Sequence, residues 1–244
     1  MSISIKNQVA LVTGANRGIG KAITESFLKH GAKKVYLAVR DTTSTQELEE
    51  TYGDRVVTLE ADVSNTESIQ KLAEQTPDVA IVVNNAGIGS PCATLDEDVL
   101  ESLTKQLDVN AFGLLRVATS FAKTLEKNKG ALVQLNSVAS IKNFPHLSTY
   151  SASKAASYSL TQGLRAELCP KGVTILSVHP GPVDTEMGAA AGFEDGADTS
   201  VIAEGIVTSL EAGDFHLFPD EMAKQFEDAY SNFSEKIVLA DLSE

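Results

Sequence analysis

Six short, nearly continuous apolar runs, at residues 9–13, 35–39, 56–59, 79–83, 131–135 and 174–178, recur along the chain with longer helix-patterned stretches between them. β-Branched residues dominate the runs, which marks them as strands. A strand covered by helices on both faces has no polar side to alternate, so the pattern predicts a mostly parallel sheet inside helical layers. With a further short strand within 212–219, the expected fold is α/β: three layers, doubly wound, around a central sheet of about seven strands. Ligands of such sheets bind outside the carboxyl ends of the strands, and every motif below falls at one of those ends.

No linker, repeat or low-complexity tract divides the 244 residues, so residues 1–244 read as a single domain. The one Gly/Ala-rich break, GAAAGFEDG at 188–196, comes too late to separate two domains. It predicts a substrate flap over about residues 186–212, beside the ligand crevice.

Composition narrows the partners. With 20 Lys+Arg against 33 Asp+Glu, the net charge of −13 disfavours nucleic acid and anionic membranes. The start MSISIKNQVALVTG lacks a charged n-region and a long apolar core, and no window approaches a membrane span, so a cytoplasmic protein is expected. Cys92 and Cys169 lie far apart without metal-ligand spacing, which predicts two buried thiols in a reducing compartment and no metal site.

The first strand runs into Gly14-Ala-Asn-Arg-Gly-Ile-Gly20 and then a helix. Glycines there allow a sharp turn and let a pyrophosphate approach the free N–H groups of the helix N-terminus. Strand, turn and helix stand in the order of a dinucleotide-binding Rossmann fold, so Gly14, Asn16, Arg17, Gly18, Ile19 and Gly20 are expected to face the cofactor. At the tip of the second strand stand Val39 and Arg40, not an acid. Arg40 and Arg17 can converge on an adenosine 2′-phosphate, which favours NADPH; an Asp41 turned to the ribose would favour NADH. Asp62 and Val63 close the third strand, where the carboxylate can meet the adenine amino group or cap the next helix. Asn84-Asn85-Ala86-Gly87 closes the fourth, small enough for the chain to pass close to a cofactor.

Tyr150-Ser-Ala-Ser-Lys154 opens a helix expected to run to about Cys169. Its spacing of four puts a phenol and an ammonium on one face. Ser137 lies just past the fifth strand, so all three groups emerge at the sheet's carboxyl edge.

At this point the chain resembles the short-chain dehydrogenase/reductase family, and within it the NADPH-preferring carbonyl reductases. The resemblance rests on T-G-x-x-x-G-x-G at 13–20, N-N-A-G at 84–87, Asn110 in LDVNAFG, Ser137, Tyr150 and Lys154, and Pro180-Gly181 with Thr185 beyond. It implies reversible reduction of an aldehyde or ketone. Tyr150 would be proton donor, Ser137 would orient the substrate oxygen, and Lys154 would lower the phenol's pKa and bind the nicotinamide ribose. Asn110 would kink its helix and hold a water that links Lys154 to solvent. Asn85, Ala86, Gly87, Pro180, Gly181, Val183 and Thr185 would complete the cofactor site. His179 ends a buried strand and reads as structural, because a general acid is already assigned.

The expected pocket wall is Ile88, Ser90, Val138, Phe144, His146, Met187 and Phe193, with His146 balanced between pocket and solvent. This mostly apolar set fits a neutral carbonyl. Reduction of a 3-oxoacyl thioester is the enzymatic alternative, and a dinucleotide sensor without turnover the alternative of another class. The chain ends without the V-D-G-G segment of the family's tetramers, so the resemblance implies a homodimer through the helices around Asn110 and Tyr150. The stripe Met222, Phe226, Tyr230 and Phe233 in the last helix reads as core packing.

Overall fold

The structure, a computed structural model, describes residues 2–193 and 195–240. Its strands are β1 Val9–Thr13, β2 Lys34–Val39, β3 Val56–Glu60, β4 Ile81–Asn84, β5 Ala131–Leu135, β6 Thr174–Val178 and β7 His216–Leu217. The helices are α1 Gly18–Lys29, α2 Gln46–Tyr52, α3 Thr66–Gln75, α4 Val99–Leu107, α5 Gly113–Asn128, α6 Ser148–Leu168, α7 Glu186–Ala190, α8 Thr199–Ala212 and α9 Glu221–Phe233. The strands form one sheet in the order β3-β2-β1-β4-β5-β6-β7, and every pairing is parallel, so the expected "mostly parallel" sheet is wholly so.

Alternation along each strand divides the core between two faces of this Rossmann-like sheet. Ala10 and Val12 face α1 and α8, where Ile23, Phe27, Ile202, Ile206 and Leu210 are buried. Val9 and Leu11 face the other layer, among Ile69, Leu72, Leu114, Phe121 and Tyr158 from α3, α5 and α6. Each fully buried side chain of this size contributes about 1.5–3 kcal/mol. The chain leaves β1 towards β2 and β3, then returns across it to β4. The strand order reverses between β1 and β4, and that switch point opens the crevice that holds the site.

Several expectations are corrected. The fourth strand starts at Ile81, not at 79, because the Val79 N–H closes a turn on the Thr76 carbonyl. β3 is an outer strand and is not covered on both faces; Val57 and Glu60 are exposed. The flap expected over 186–212 divides: Ile202, Ala203, Ile206, Val207 and Leu210 bury α8 against α1, and among the described residues the segment borders the crevice as far as Phe193. Glu194, within that flap, lies outside the described residues. In α9, Phe226 and Tyr230 pack inward, but Met222 and Phe233 are exposed. Cys92 is buried, whereas Cys169 is only half-buried. Among the described residues no helix is long and apolar enough to cross a membrane.

Candidate active site

The turn after β1 is built by three glycines with two different duties. Gly14 (φ +64°) and Gly18 (φ +52°) sit in the left-handed region, where a side chain strains the backbone. Gly20 is held by space: a Cβ there would lie 2.1 Å from the Gly14 carbonyl oxygen. The segment after β4 braces the turn. Asn85 Nδ2 donates to the Thr13 carbonyl (2.9 Å) and the Gly14 carbonyl (3.2 Å), while the Thr13 hydroxyl accepts from the Asn85 and Ala86 N–H groups (3.0 and 2.9 Å).

Beyond the β2 tip, Arg40 is exposed and lines the crevice. Asp41 has its carboxylate committed to its own turn: it accepts from the Thr43 hydroxyl (2.7 Å) and N–H (2.9 Å), and these bonds hold its pKa below the ordinary value. Asp62 likewise accepts from the Ser64 hydroxyl and N–H (2.7 and 2.9 Å). Its pKa is lowered chiefly by the Ser64 hydroxyl, against the opposing effect of burial, with help from the charges of Arg40 and Arg116. The cap of α3 is Asn65, which accepts from the Ser68 N–H (3.1 Å), so Asp62 is free of that duty. Arg17, at the N-cap of α1, pairs with Glu186 across the crevice, and both are exposed.

At the carboxyl end of β5, Ser137 is buried in extended backbone. Its hydroxyl accepts from the Ala139 N–H (3.1 Å) and donates to the Pro180 carbonyl (3.2 Å). Tyr150, in the first turn of α6, presents its phenol beside it. Burial pushes the Tyr150 pKa up to about 12, against the opposing influence of the neighbouring Ser137 hydroxyl. One turn on, Lys154 Nζ lies 5.7 Å from the centre of the Tyr150 ring and donates to the Leu135 carbonyl (2.7 Å). Burial pulls its pKa down to about 8.

Asn110 sits in a single π-turn, Asp108–Phe112, between α4 and α5. Its amide straps the loop after β4: Oδ1 accepts from the Ile88 N–H (2.9 Å), and Nδ2 donates to the Ile88 carbonyl (2.8 Å) and to Ser153 Oγ (2.9 Å). The helix distortion expected from the resemblance is therefore present as this π-turn. Past β6, Thr185 caps α7 by accepting from the Gly188 N–H (3.1 Å), and Gly18 leaves room for its methyl group, 3.1 Å from where a Cβ would stand.

These groups open on one cavity of about 600 Å³. It brings together Ser137, Tyr150 and Lys154 with Gly14, Asn16, Arg17, Gly18, Ile19, Arg40, Asp62, Val63, Asn85, Ala86, Gly87, Pro180, Gly181, Val183 and Thr185. Gly20 and Asn110 stand behind the wall. Ile88, Val138, Phe144, Met187 and Phe193 line the cavity as expected; Ser90 and His146 do not. Ser90 is exposed and borders a separate cavity of about 180 Å³ with Gln106. His146 is exposed because the bridge between Cys92 and Leu147 turns Leu147 into the cavity, which sends its neighbour outward.

Sequence reasoning missed Gly89, whose Cβ would stand 3.1 Å from the Tyr150 ring; the signal was its place two residues beyond Gly87. It also missed Leu147 and Met222. Met222 reaches the cavity because Asp220 accepts from the Gly181 N–H (2.7 Å), a contact between distant segments that no local pattern announces.

The cradle fits a dinucleotide: the space above Gly14, Gly18 and Gly20 is closed to side chains, and the free N–H groups of the α1 N-terminus face the crevice, where a pyrophosphate is favoured. Comparison with known proteins agrees. The profile of the short chain dehydrogenase family matches residues 8–195. An uncharacterized oxidoreductase of Staphylococcus saprophyticus is 33% identical over 220 residues, which cover 86% of this chain and 93% of that one. A short chain dehydrogenase from Burkholderia cenocepacia, solved in complex with NADP, superposes with a TM-score of 0.88 at 31% identity, over 98% of this chain and 100% of that one. The 3-ketoacyl-(acyl-carrier-protein) reductase from Brucella melitensis, solved with NADH, superposes with a TM-score of 0.80 at 25% identity, over 88% and 97%. The chain belongs to the short-chain dehydrogenase/reductase family and is an NAD(P)-dependent oxidoreductase.

Proposed function

We propose that this protein is a single dinucleotide-binding domain that reduces a neutral aldehyde or ketone to an alcohol, reversibly and with NADPH. The observation that carries the reading is the convergence of the Ser137 hydroxyl, the Tyr150 phenol and the Lys154 ammonium on one cavity. The bound dinucleotide would supply the hydride. As it arrives, negative charge develops on the substrate oxygen, and the protein must hold that oxygen and give it a proton. Ser137 turns its hydroxyl from the Pro180 carbonyl to the oxygen. Tyr150, kept protonated by burial, donates the proton. Lys154 keeps a positive charge at neutral pH and stabilises the phenolate that results.

Two features support NADPH. Arg40 lines the cavity beyond the β2 tip, close enough to Asp62 for its charge to act there, with Arg17 on the lining of the same cavity, and Asp41 is tied to Thr43 rather than free to hold a ribose. The apolar end, at Phe144, Leu147, Met187 and Phe193, supports a neutral substrate.

A second reading, reduction of a 3-oxoacyl thioester, is favoured by the likeness to the Brucella reductase. It wants cations at the substrate mouth. Among the described lining residues the cations are Arg17, which is paired with Glu186, Arg40 and Lys154. We further propose that the protein works in the cytoplasm as a homodimer, paired through the helices around Asn110 and Tyr150; Phe112, 49% exposed beside Asn110, supports the pairing, and a monomer in sedimentation would refute it.

The test is loss of the near-ultraviolet absorbance of reduced nicotinamide, with NADPH and NADH against a panel of aldehydes, ketones and 3-oxoacyl thioesters. NADPH turnover that falls by about 10²-fold or more in Tyr150→Phe, with NADPH binding retained, is expected. Tight NADPH binding without turnover on any carbonyl would move the reading to a sensor.

A further inference from the structure

Behind Ser137 lies a buried polar chain that the proton transfer does not use. His179, just past β6, is completely buried. Its ring stacks on Phe218 (centroids 4.9 Å apart, 17° between planes) and meets the edge of Tyr158 at 4.7 Å. Nδ1 faces two oxygens, Ser140 Oγ at 3.0 Å and the Ser137 carbonyl at 3.3 Å, while Nε2 faces Ser177 Oγ at 2.8 Å.

Hydrogen counting fixes the direction of these bonds. Ser140 has one hydroxyl hydrogen and gives it to the Ser137 carbonyl at 2.5 Å. A carbonyl oxygen only accepts. A lone pair on Nδ1 would therefore face two acceptors, so Nδ1 carries the hydrogen. Nε2 is then the acceptor, served by the Ser177 hydroxyl, whose oxygen in turn accepts from Asn136 Nδ2 at 2.8 Å. Donation runs one way, from Asn136 through Ser177, His179 and Ser140, and ends on the Ser137 backbone. Burial, reinforced by neighbouring His216, pulls the His179 pKa down to about 3, so the ring stays neutral and this tautomer is its working form.

The residue at the end of the chain is the one whose hydroxyl must meet the substrate oxygen. The Ser137 side chain is aimed by its own backbone, and that backbone is held by the bonds on its carbonyl and by the Val138 N–H, which donates to the Pro180 carbonyl (3.0 Å) next to His179. We propose that His179 is a positioning residue for Ser137, acting through Ser140 to fix the Ser137 carbonyl and so the direction of the Ser137 hydroxyl. This rests on the carbonyl reduction proposed above. Its reach is specific: the His179 side chain does not line the cavity and points back to the Ser137 backbone, so its loss is expected in kcat rather than in NADPH affinity.

The experiment compares His179→Phe, His179→Asn and Ser140→Ala in the wild-type background and in Ser137→Ala, with kcat, KM and the NADPH Kd measured for each. His179→Phe keeps the ring stack and loses the bonds; His179→Asn keeps an N–H near the place of Nδ1. The expected result is a kcat about tenfold lower in His179→Phe with the NADPH Kd unchanged, and recovery of most of that loss in His179→Asn. In Ser137→Ala the same His179→Phe substitution should change kcat by less than about twofold. An equal fold-loss in both backgrounds, or a Kd that weakens as much as kcat falls, makes His179 a packing residue and overturns the proposal. Should His179→Phe not fold, Ser140→Ala carries the same comparison. A second readout is independent of turnover: ¹⁵N spectra of histidine-labelled protein should show His179 as the Nδ1–H tautomer, with its Nδ1 signal shifted by Ser140→Ala. An Nε2–H tautomer overturns the proposal even in an active enzyme. A wild type that reduces no carbonyl refutes the function reading instead, and the spectra then decide the His179 chain by themselves.

Discussion

Lys154 is the residue where the site's chemistry and the fold's stability pull against each other. Its ammonium is buried with one carbonyl partner, and its pKa falls from 10.5 to about 8. The unfolded chain therefore binds a proton more readily than the folded one between those values, so the penalty is complete below pH 8 and fades as pH rises towards 10.5. That gap corresponds to about 3 kcal/mol. Lys154→Met should accordingly abolish turnover yet make the ligand-free protein more stable at pH 7, by up to about 3 kcal/mol. The advantage should shrink between pH 8 and pH 10 in denaturant titrations; an advantage that does not change with pH would refute the electrostatic account. The identity of such residues was legible because their spacing in sequence matches a helical turn or a strand end. Ser137, Tyr150 and Lys154 meet where those periodicities place them. His146 and Ser90 were misplaced because the side of a loop a residue faces depends on a bridge, Cys92 to Leu147, formed between segments distant in sequence.

Elements differ in how much a single atom can disturb them, and the entry to α1 is among the least tolerant. A methyl group at Gly20 would overlap the Gly14 carbonyl at 2.1 Å and Asn85 Nδ2 at 2.6 Å, so the turn and the brace after β4 must separate to admit it. Gly20→Ala should destabilise the protein by about 1–3 kcal/mol and remove dinucleotide binding together with turnover. Asn65→Ala offers the contrast: it removes the α3 cap at a cost of about 1 kcal/mol, and because Asn65 does not line the cavity, kcat and KM should stay at the wild-type values. Equal losses of binding in the two variants, read by fluorescence titration beside chemical denaturation, would mean that the effect of Gly20 is global instability and not the shape of the cradle. Strand and helix positions were legible to within a few residues, since apolar periodicity reports burial directly. The division of 186–212 into a crevice segment and a core helix was not. The stretch from Thr199 to Glu211 is helix-patterned in the sequence, but its assignment to the core rather than to the flap rests on the contact with α1, which no local pattern announces.

At the scale of the whole molecule, the cavity gathers the carboxyl ends of β1 to β6 and both helical layers, so a bound dinucleotide ties together segments that otherwise meet only through the sheet. A ligand that binds only the folded state stabilises it by mass action, by about 2.7 kcal/mol at a hundred times its Kd. For a chain of 244 residues that corresponds to a rise in Tm of roughly 5–10 °C. The net charge of −13 opposes an anionic ligand at long range, but the field is screened beyond about 10 Å at moderate salt, so the local cations decide which dinucleotide is preferred. NADPH should therefore raise Tm more than NADH at equal concentration. Arg40→Ala, which removes an exposed charge-assisted partner of the 2′-phosphate, should weaken NADPH about tenfold. Its stabilisation at the same concentration then drops to about 1.4 kcal/mol, while the NADH shift is unchanged. Equal shifts from the two dinucleotides, or a loss in Arg40→Ala shared by both, would assign Arg40 to the solvated surface and leave Arg17 and its pairing with Glu186 as the next place to look for cofactor selection.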